Sequence, residues 1–148
     1  MTLEEQLFNE LTQDEGVRPY LYNDLTGKRL EILPGGGKAT IGIGRNLSDV
    51  PLSEKIIKQI FLEDVERATA DAIELVPGLK KLSQNRQAAI INLSFNLGYV
   101  RLKRFKDTLS AINSGNWTAA AQGLQNSLWA KQVQKSRSTR IIKQVREG

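Results

Sequence analysis

The hydrophobic and polar positions of the chain have helical spacing at its start, strand-like spacing in a short stretch after Gly16, and helical spacing again after Pro51. The first residues have helical spacing, and Thr2 with Glu5 matches the capping-box pattern that starts a helix. Gly16 is a suitable stop for it. A helix over residues 2–14 is therefore expected. Its apolar face comprises Leu3, Leu7, Phe8 and Leu11.

Short apolar runs separated by turn residues follow this helix. The turns are expected at residues 24–27 and 34–37, which are rich in Gly, Pro and Asp. This pattern predicts a small antiparallel sheet in which the third run returns beside the first. The runs are YLY at residues 20–22, KRLEI at residues 28–32 and KATIGI at residues 38–43.

The helical period then continues to the end of the chain. Ser53 can cap a helix over about residues 53–76, which at about 1.5 Å per residue is long enough to connect two lobes. We expect one domain over residues 1–148, with a sheet-bearing lobe over about 14–52. The helical lobe would contain about 77–148 together with the first helix. Its further helices are predicted at residues 84–97, 102–114, 117–125 and from about 136.

Composition narrows the chemistry available to this chain of 148 residues. It has no cysteine and no histidine, which excludes disulfides, thiol nucleophiles, Ser-His-Asp catalysis and the usual zinc ligand sets. Catalysis would therefore depend on carboxylates, hydroxyls, Lys, Arg or Tyr.

No apolar run approaches the roughly 18 residues needed to span a bilayer, and the acidic start MTLEEQLFNE is unlike a signal peptide.

Charge is unevenly distributed. Residues 1–100 carry 11 Lys and Arg against 14 Asp and Glu, whereas residues 101–148 carry 10 against 2. A basic C-terminal third indicates an anionic partner such as a nucleic acid, lipid headgroups or an acidic wall polymer.

Two acidic residues stand at the ends of predicted elements. Glu15 lies at the C-terminal end of the first helix, where the helix dipole disfavours an ionised carboxylate. Asp24 lies beside Asn23 and a turn, a more polar setting that favours the ionised form. Such a pair suits glycoside hydrolysis, in which one carboxyl group donates a proton and the other activates water. Spacing alone also allows a structural interpretation, with Glu15 as a helix cap and Asp24 as a turn former.

Several motifs together resemble the bacteriophage-type lysozyme family, the endolysins that cut the glycan strands of peptidoglycan. They are DEG followed by YND, TIGIGRN, LSEKIIKQIFLEDV, RQAAIINLSFNLG, FKDTLSAINSGNWTAAA and SLWAKQVQKSRSTR, so the resemblance covers nearly the whole chain. It implies an α+β, lysozyme-like fold, with a small antiparallel sheet lobe and a helical lobe joined by a long helix.

The resemblance also implies roles for individual residues. Glu15 matches the general acid, Asp24 the acid that positions the attacking water, and Thr40 a threonine that assists that water. It further implies inversion at the anomeric carbon, for which the carboxyl groups should lie about 6.5–9.5 Å apart. Arg137 matches an arginine that pairs with the catalytic glutamate.

Other matched positions concern the saccharide cleft. Phe95 and Thr108 match residues that line it, with Asn96 and Gly44 nearby, although a core role for Phe95 stays open. Gly123 stands where the family has a substrate-contacting asparagine, which puts contacts on that side in doubt.

One departure from the family concerns a pair of charges. Relatives have a histidine after TIGIG that pairs with an acid in the long helix, and here the two positions hold Arg45 and Asp64. Because arginine stays charged at any working pH, an Arg45–Asp64 pair would hold the sheet lobe to the long helix without titrating.

The function implied is that of an endolysin that hydrolyses the β-1,4 bond between N-acetylmuramic acid and N-acetylglucosamine in peptidoglycan. It would be a monomer that needs no metal or organic cofactor, binds no nucleic acid, and stays in the host cytoplasm until lysis gives it access to the periplasm and cell wall. Contact of the basic C-terminal helix with anionic membrane or lipopolysaccharide is a second hypothesis. The alternative is a basic helical module that binds nucleic acid or anionic membrane without catalysis, through Lys131, Lys135, Arg137, Arg140, Lys143 and Arg146.

Overall fold

The computed structural model describes residues 1–23 and 25–148. It is mostly helical with a small antiparallel pair of strands, which confirms the predicted α+β class. Across the described ranges, no helix is both long and apolar enough to cross a membrane. In chain order the elements are α1 (Leu3–Glu15), β1 (Thr40–Ile41), β2 (Arg45–Asn46), α2 (Glu54–Leu75), a 3₁₀ turn (Leu79–Lys81), α3 (Gln84–Leu97), α4 (Tyr99–Leu102), α5 (Lys106–Asn113), α6 (Trp117–Asn126), α7 (Leu128–Gln132) and α8 (Lys135–Glu147).

The chain divides into two compact units. The helical unit contains residues 1–15 and 63–148, and the sheet unit contains residues 16–62, so the division falls within α2. The lobe boundaries expected from the sequence, and the connecting role of the long helix, stay predictions.

The helical unit is built around α3. This helix buries apolar residues on all sides, as expected for a helix enclosed by others. It packs against α1 and α8, while α6 packs against α5 and α8. The most deeply buried apolar side chains of the unit include Leu7, Leu79, Ile90, Ile91, Leu93, Leu124, Ile141 and Val145.

Helix α1 begins with the predicted cap and ends beside the predicted glycine, one residue beyond the predicted range. The Thr2 backbone N–H donates to Glu5 Oε2 at 2.7 Å, and the Glu5 N–H donates to Thr2 Oγ1 at 3.1 Å, which completes the capping box. The helix ends at Glu15, because Gly16 adopts a positive φ of 75° that side chains disfavour. Glu15 is therefore the last helical residue, one position beyond the predicted range.

The predicted sheet of three strands is wrong. The Thr40–Ile41 strand pairs with Arg45–Asn46 across a glycine turn, rather than with the first run. In the first two runs, the residues that the structure describes form one isolated antiparallel bridge, between Tyr22 and Arg29. The apolar runs of this unit are largely exposed, so no buried face extends their pairing.

The predicted helix over residues 102–114 is also wrong at its start. Helix α4 ends at Leu102, Phe105 has a non-helical ψ of 53°, and α5 begins at Lys106. The apolar positions Leu102, Phe105 and Leu109 keep helical spacing across this break, so the pattern contains no sign of it. The stop at Gly115 is confirmed by its positive φ of 73°. Helix α7 was not predicted.

Candidate active site

The carboxylate of Glu15 is presented at the C-terminal end of α1. Leu7 and Leu11 bury one face of this helix in the core, while the Glu15 side chain keeps 46% of its surface exposed. Arg137 Nη1 donates to Glu15 Oε1 at 2.6 Å. The pair that the family resemblance implied is therefore present, whereas its part in catalysis stays a prediction.

Side chains of α1 and α3 hold Arg137 in place. Its side chain is only 5% exposed, and its Nε and Nη2 donate to Asn92 Oδ1 at 3.2 and 2.9 Å. Arg137 Nε also lies 3.2 Å from Asp14 Oδ2. A buried guanidinium with this many partners has little freedom to move, so it fixes the position of the Glu15 carboxylate.

Asp14 is the most buried acid of the cluster, with 1% of its side chain exposed. Its Oδ2 accepts hydrogen bonds from Arg140 Nη2 at 2.6 Å and from Asn92 Nδ2 at 3.2 Å. Because a buried carboxylate requires charged or hydrogen-bonding partners, these contacts explain how Asp14 is accommodated beside the core.

Sequence reasoning did not place Asp14, Asn92 or Arg140 in the candidate site, and it named Arg140 only as part of the alternative basic module. Asn92 carried a signal, since it is a polar residue within the apolar run AAIINLSF of a helix that is buried all round. Arg140 lies three residues after Arg137 and therefore on the same face of α8. Asp14 precedes Glu15 and resembles an ordinary surface acid until the structure shows its burial.

The sheet unit carries the other predicted catalytic group that the structure describes. Thr40 is exposed, and its hydroxyl donates to the Lys38 carbonyl at 3.3 Å. Gly44 lies in the turn between the strands with a φ of 76° and nothing within 4 Å of an added Cβ. Asp24 lies outside the described residues, so its role and its separation from Glu15 stay predictions.

The predicted pair of Arg45 and Asp64 stays a prediction, because the two residues belong to different units. Within its own unit each has a partner. Arg45 Nη2 donates to the Pro51 carbonyl at 2.6 Å, and Asp64 Oδ1 accepts from Arg67 at 2.6 Å.

The predicted saccharide-binding residues of the helical unit have structural contacts. Asn96 is half-buried and accepts a hydrogen bond from the buried Trp129 indole at 2.9 Å. Thr108 is buried against Gly123, where an added Cβ would lie 2.4 Å from the Thr108 hydroxyl oxygen. Phe95 is half-buried in α3. A side chain at position 123 would thus meet α5, which gives this glycine a packing role.

The chemistry available here is that of carboxylates and guanidinium groups. Among the residues that the structure describes, no group of three acids is placed to hold a metal ion. An acid at the end of α1, partly exposed and held by a buried arginine, is placed for the acid–base chemistry that glycoside hydrolases use.

Comparison with known proteins agrees with this class. A model of the family described as phage lysozyme matches residues 12–146. "Probable T4-type lysozyme 1" of Dictyostelium discoideum is 30% identical over 168 positions, which cover 93% of this chain and 92% of that protein. "Peptidoglycan hydrolase gp36" of Pseudomonas phage phiKMV is 27% identical over 97% of this chain but 16% of its own length. "Pre-baseplate central spike protein Gp5" of Enterobacteria phage T4 is 25% identical over 93% of this chain and 27% of that protein.

The chain belongs to the phage lysozyme family, and it is a glycoside hydrolase of the lysozyme type, a class that lyses peptidoglycan. It spans nearly the whole of the Dictyostelium relative but only a small part of the two phage relatives.

Proposed function

We propose that this chain hydrolyses the β-1,4 bond between N-acetylmuramic acid and N-acetylglucosamine in peptidoglycan, with inversion at the anomeric carbon. The observation that carries the proposal is the half-exposed Glu15 carboxylate, fixed by the buried Arg137 at 2.6 Å. This group is accessible to a substrate and held in one place, as a general acid must be.

The proposed reaction uses two carboxyl groups. Glu15 transfers its proton to the glycosidic oxygen as the bond from that oxygen to the anomeric carbon breaks. Asp24, assisted by the Thr40 hydroxyl, accepts a proton from a water that attacks the anomeric carbon from the opposite face. The product is a new reducing end of inverted configuration. Asp24 then releases its proton to solvent and Glu15 takes one up, so both groups return to their starting states.

The test is Glu15→Gln, assayed on purified peptidoglycan. The amide keeps the size of the side chain but has no proton to donate, so we expect activity to fall by about 10²–10⁴-fold. Glu4→Gln is the matched control, since it removes the same charge from an exposed position on the same helix. Retained lysis by Glu15→Gln would overturn the proposed role.

Product analysis tests the rest of the scheme. We expect muramic acid reducing ends, with the inverted anomer observed by NMR before it mutarotates. Retained configuration would contradict the role of Asp24 as a base, and anhydromuramic ends would replace hydrolysis with transglycosylation.

We also propose a role in host cell lysis, supported by the family and by the similarity to the phage relatives. The enzyme would be held in the host cytoplasm until a separate membrane-opening protein gives it access to the wall. Expression in a bacterial host should therefore leave cells intact until the inner membrane is permeabilised. Lysis without permeabilisation would contradict this order of events.

A second candidate function is contact with an anionic lipid surface. An open groove of about 640 Å³ lies among α6, α7 and α8, with Val133 and Ile142 beside the cations Lys131, Lys135 and Lys143. Apolar and basic groups side by side suit an anionic amphiphile.

Vesicle binding tests this candidate without interference from catalysis. The inactive Glu15→Gln protein should sediment with vesicles that contain phosphatidylglycerol and much less with phosphatidylcholine alone. The double variant Lys131→Gln/Lys135→Gln should lose the difference. Equal binding to both vesicle types would contradict the proposal.

A further inference from the structure

We propose that the corner between α4 and α5 binds the free carboxylates of the peptide stems in peptidoglycan. This corner carries four exposed cations, which together are called the α4–α5 patch: Arg101, Lys103, Arg104 and Lys106. The inference rests on the proposed function for its substrate and names a second part of that polymer which the enzyme recognises, the peptide stem.

The patch has few acidic side chains around it. Residues 99–107 contain four cations and one acid, Asp107, which is exposed. Within the described residues, the side chains of Arg101, Arg104 and Lys106 have no hydrogen bond or ion pair. Three of the four cations are therefore available to an anion from outside the chain.

The fourth cation of the patch has a weak local contact. Lys103 Nζ lies 3.3 Å from the Tyr99 hydroxyl, which itself donates to the carboxylate of Glu74 at the end of α2. Glu74 is thus a second acid at the edge of the patch. Four cations still face two acids, so the corner as a whole is positive.

Packing of the corner turns the arginines towards solvent. The Phe105 N–H donates to the Leu102 carbonyl at 3.0 Å and the Arg104 N–H to the Arg101 carbonyl at 3.2 Å, so the chain makes 3₁₀-type turns here. In such turns, side chains three residues apart lie on the same side. Leu102 is 2% exposed and Phe105 is half-buried, so their side faces the core. Arg101 and Arg104 share a different side, and both are exposed.

This arrangement is electrostatically unfavourable for the protein alone. Like charges three residues apart in a helical turn repel each other. Lys106 is also the first residue of α5, where the helix dipole disfavours a cation. By contrast, Arg86, Arg137 and Arg140 of the same unit all bond to backbone or side-chain oxygens. A bound anion would relieve the repulsion that no internal contact offsets.

Carboxylate is the anion that the substrate supplies. The N-acetylated sugars of the glycan are uncharged, whereas the attached peptide stems carry free carboxylates on acidic residues and at their ends. A guanidinium binds a carboxylate through two parallel hydrogen bonds, so a pair of exposed arginines suits such a stem. In the chain, the patch lies between Asn96 and Thr108, two positions that are predicted to line the saccharide cleft.

The test is binding to peptidoglycan sacculi that have been freed of teichoic acid, measured by sedimentation at low salt. The parent protein carries Glu15→Gln so that the sacculi are not digested, and the patch variant adds Arg101→Gln/Arg104→Gln. We expect its Kd to rise by roughly 3–10-fold, because two exposed charge contacts are lost. Amidation of the sacculi with carbodiimide and ammonia removes the stem carboxylates and should abolish this difference.

Lys80→Gln/Lys81→Gln is the matched control. These exposed lysines lie in the 3₁₀ turn of the same unit, outside the patch, so the change removes the same net charge. Its Kd should stay close to that of the parent. An equal rise in the control would show that overall charge attracts the wall, which would overturn the proposal.

A second variant removes the other two cations of the patch. Lys103→Gln/Lys106→Gln should weaken binding in the same direction, so the proposal stays testable if one double variant does not fold. Because each variant reduces repulsion between like charges, urea denaturation should show little loss of stability.

The outcomes separate this proposal from the proposed function. If Glu15→Gln is inactive but the patch variants bind sacculi like the parent, the patch proposal fails and the general acid stands. A rise in Kd that persists on amidated sacculi would also overturn it. Weaker binding to duplex DNA, with unchanged binding to sacculi, would assign the patch to phosphates instead.

Activity provides a readout if Glu15→Gln still digests the sacculi, in which case the role of Glu15 as general acid fails. The patch changes are then made in the active protein. We expect KM for the sacculi to rise by roughly 3–10-fold with kcat unchanged, since the patch contributes to binding and not to the chemical step. An unchanged KM would overturn the patch proposal as well.

Discussion

The two units of this enzyme use ion pairs of similar length in very different surroundings. In the helical unit, Arg137 and Arg140 contact Asp14 and Glu15 in a cluster that is largely buried. In the sheet unit, Lys38 contacts Asp49 at 2.8 Å with about half of each side chain exposed. Burial determines how much stability is lost when one partner of such a pair is removed. A buried charge without its partner cannot be solvated, whereas an exposed one is rehydrated.

The largest expected effect is on the buried cluster. Arg137→Met removes the cation from Asp14 and Glu15 and leaves the Asn92 oxygen without its donors. We expect the free energy of unfolding to fall by about 3–5 kcal/mol, measured by urea denaturation.

Arg67→Met is the matched control for this variant. Arg67 contacts Asp64 at the same distance of 2.6 Å, but its side chain is 74% exposed. The change in stability should stay below about 1 kcal/mol. Equal losses in the two variants would remove burial as the explanation of the difference between the pairs.

A smaller effect is expected where α5 and α6 pack. Gly123→Ala places a Cβ 2.4 Å from the Thr108 hydroxyl oxygen, so α5 and α6 must separate. We expect a net destabilisation of about 1–2 kcal/mol, even though alanine favours a helix by about 1 kcal/mol over glycine.

Removal of the obstructing side chain should rescue this variant. The loss of unfolding free energy in the double variant Gly123→Ala/Thr108→Ala should be smaller than the sum of the losses in the two single variants, as measured by a double-mutant cycle. Gly42 in the sheet unit has open space around an added Cβ but a φ of 59°, so Gly42→Ala should be destabilising through backbone strain and unaffected by Thr108→Ala. If the losses in Gly123→Ala and Thr108→Ala simply add in the double variant, the contact between position 123 and Thr108 does not limit the packing of α5 and α6.

The smallest effect concerns the exposed pair. The hydrogen bond from Lys38, opposed by partial desolvation and assisted by Asn46, lowers the pKa of Asp49 below its usual 3.8. The stabilisation it provides is therefore present above pH 3.8 and is lost as the pH falls through the lower folded-state pKa. In Lys38→Met, the pKa of Asp49 should rise towards its unfolded value when followed by carbon NMR.

Lys28→Met provides a control for this titration. It removes the same charge from an exposed position in the same unit, without a contact to Asp49. An Asp49 titration that is unchanged in Lys38→Met would show that the contact is not populated in solution.

Several helix ends follow from the sequence. The capping box at Thr2, the stop at Gly16 and the long helix after Ser53 depend on interactions within a few residues, and all are present in the structure. The break before Lys106 could not be predicted, because it interrupts the backbone without interrupting the apolar period. Thr40 pairs with Asn46 across a short glycine turn, whereas we expected it to pair with the distant run at residues 20–22, because strand-like spacing does not specify which runs pair.

Only part of the candidate site could be predicted from the sequence. Glu15 could be singled out because it lies at a helix end beside a glycine, and the family resemblance supplied Arg137. The residues that hold Arg137 were missed, since neither the burial of Asp14 nor the approach of Asn92 can be inferred from spacing along the chain. Long-range contacts between α1, α3 and α8 create the charge cluster, and only the folded structure brings them together.

The amide of Asn92 contacts one positive and one negative side chain. Its oxygen faces a guanidinium and its nitrogen faces a carboxylate, so the two ends cannot be exchanged. An aspartate there would repel Asp14, a leucine would leave both neighbours unmatched, and a lysine would oppose Arg137. Asparagine is thus a side chain whose dipole matches both neighbours.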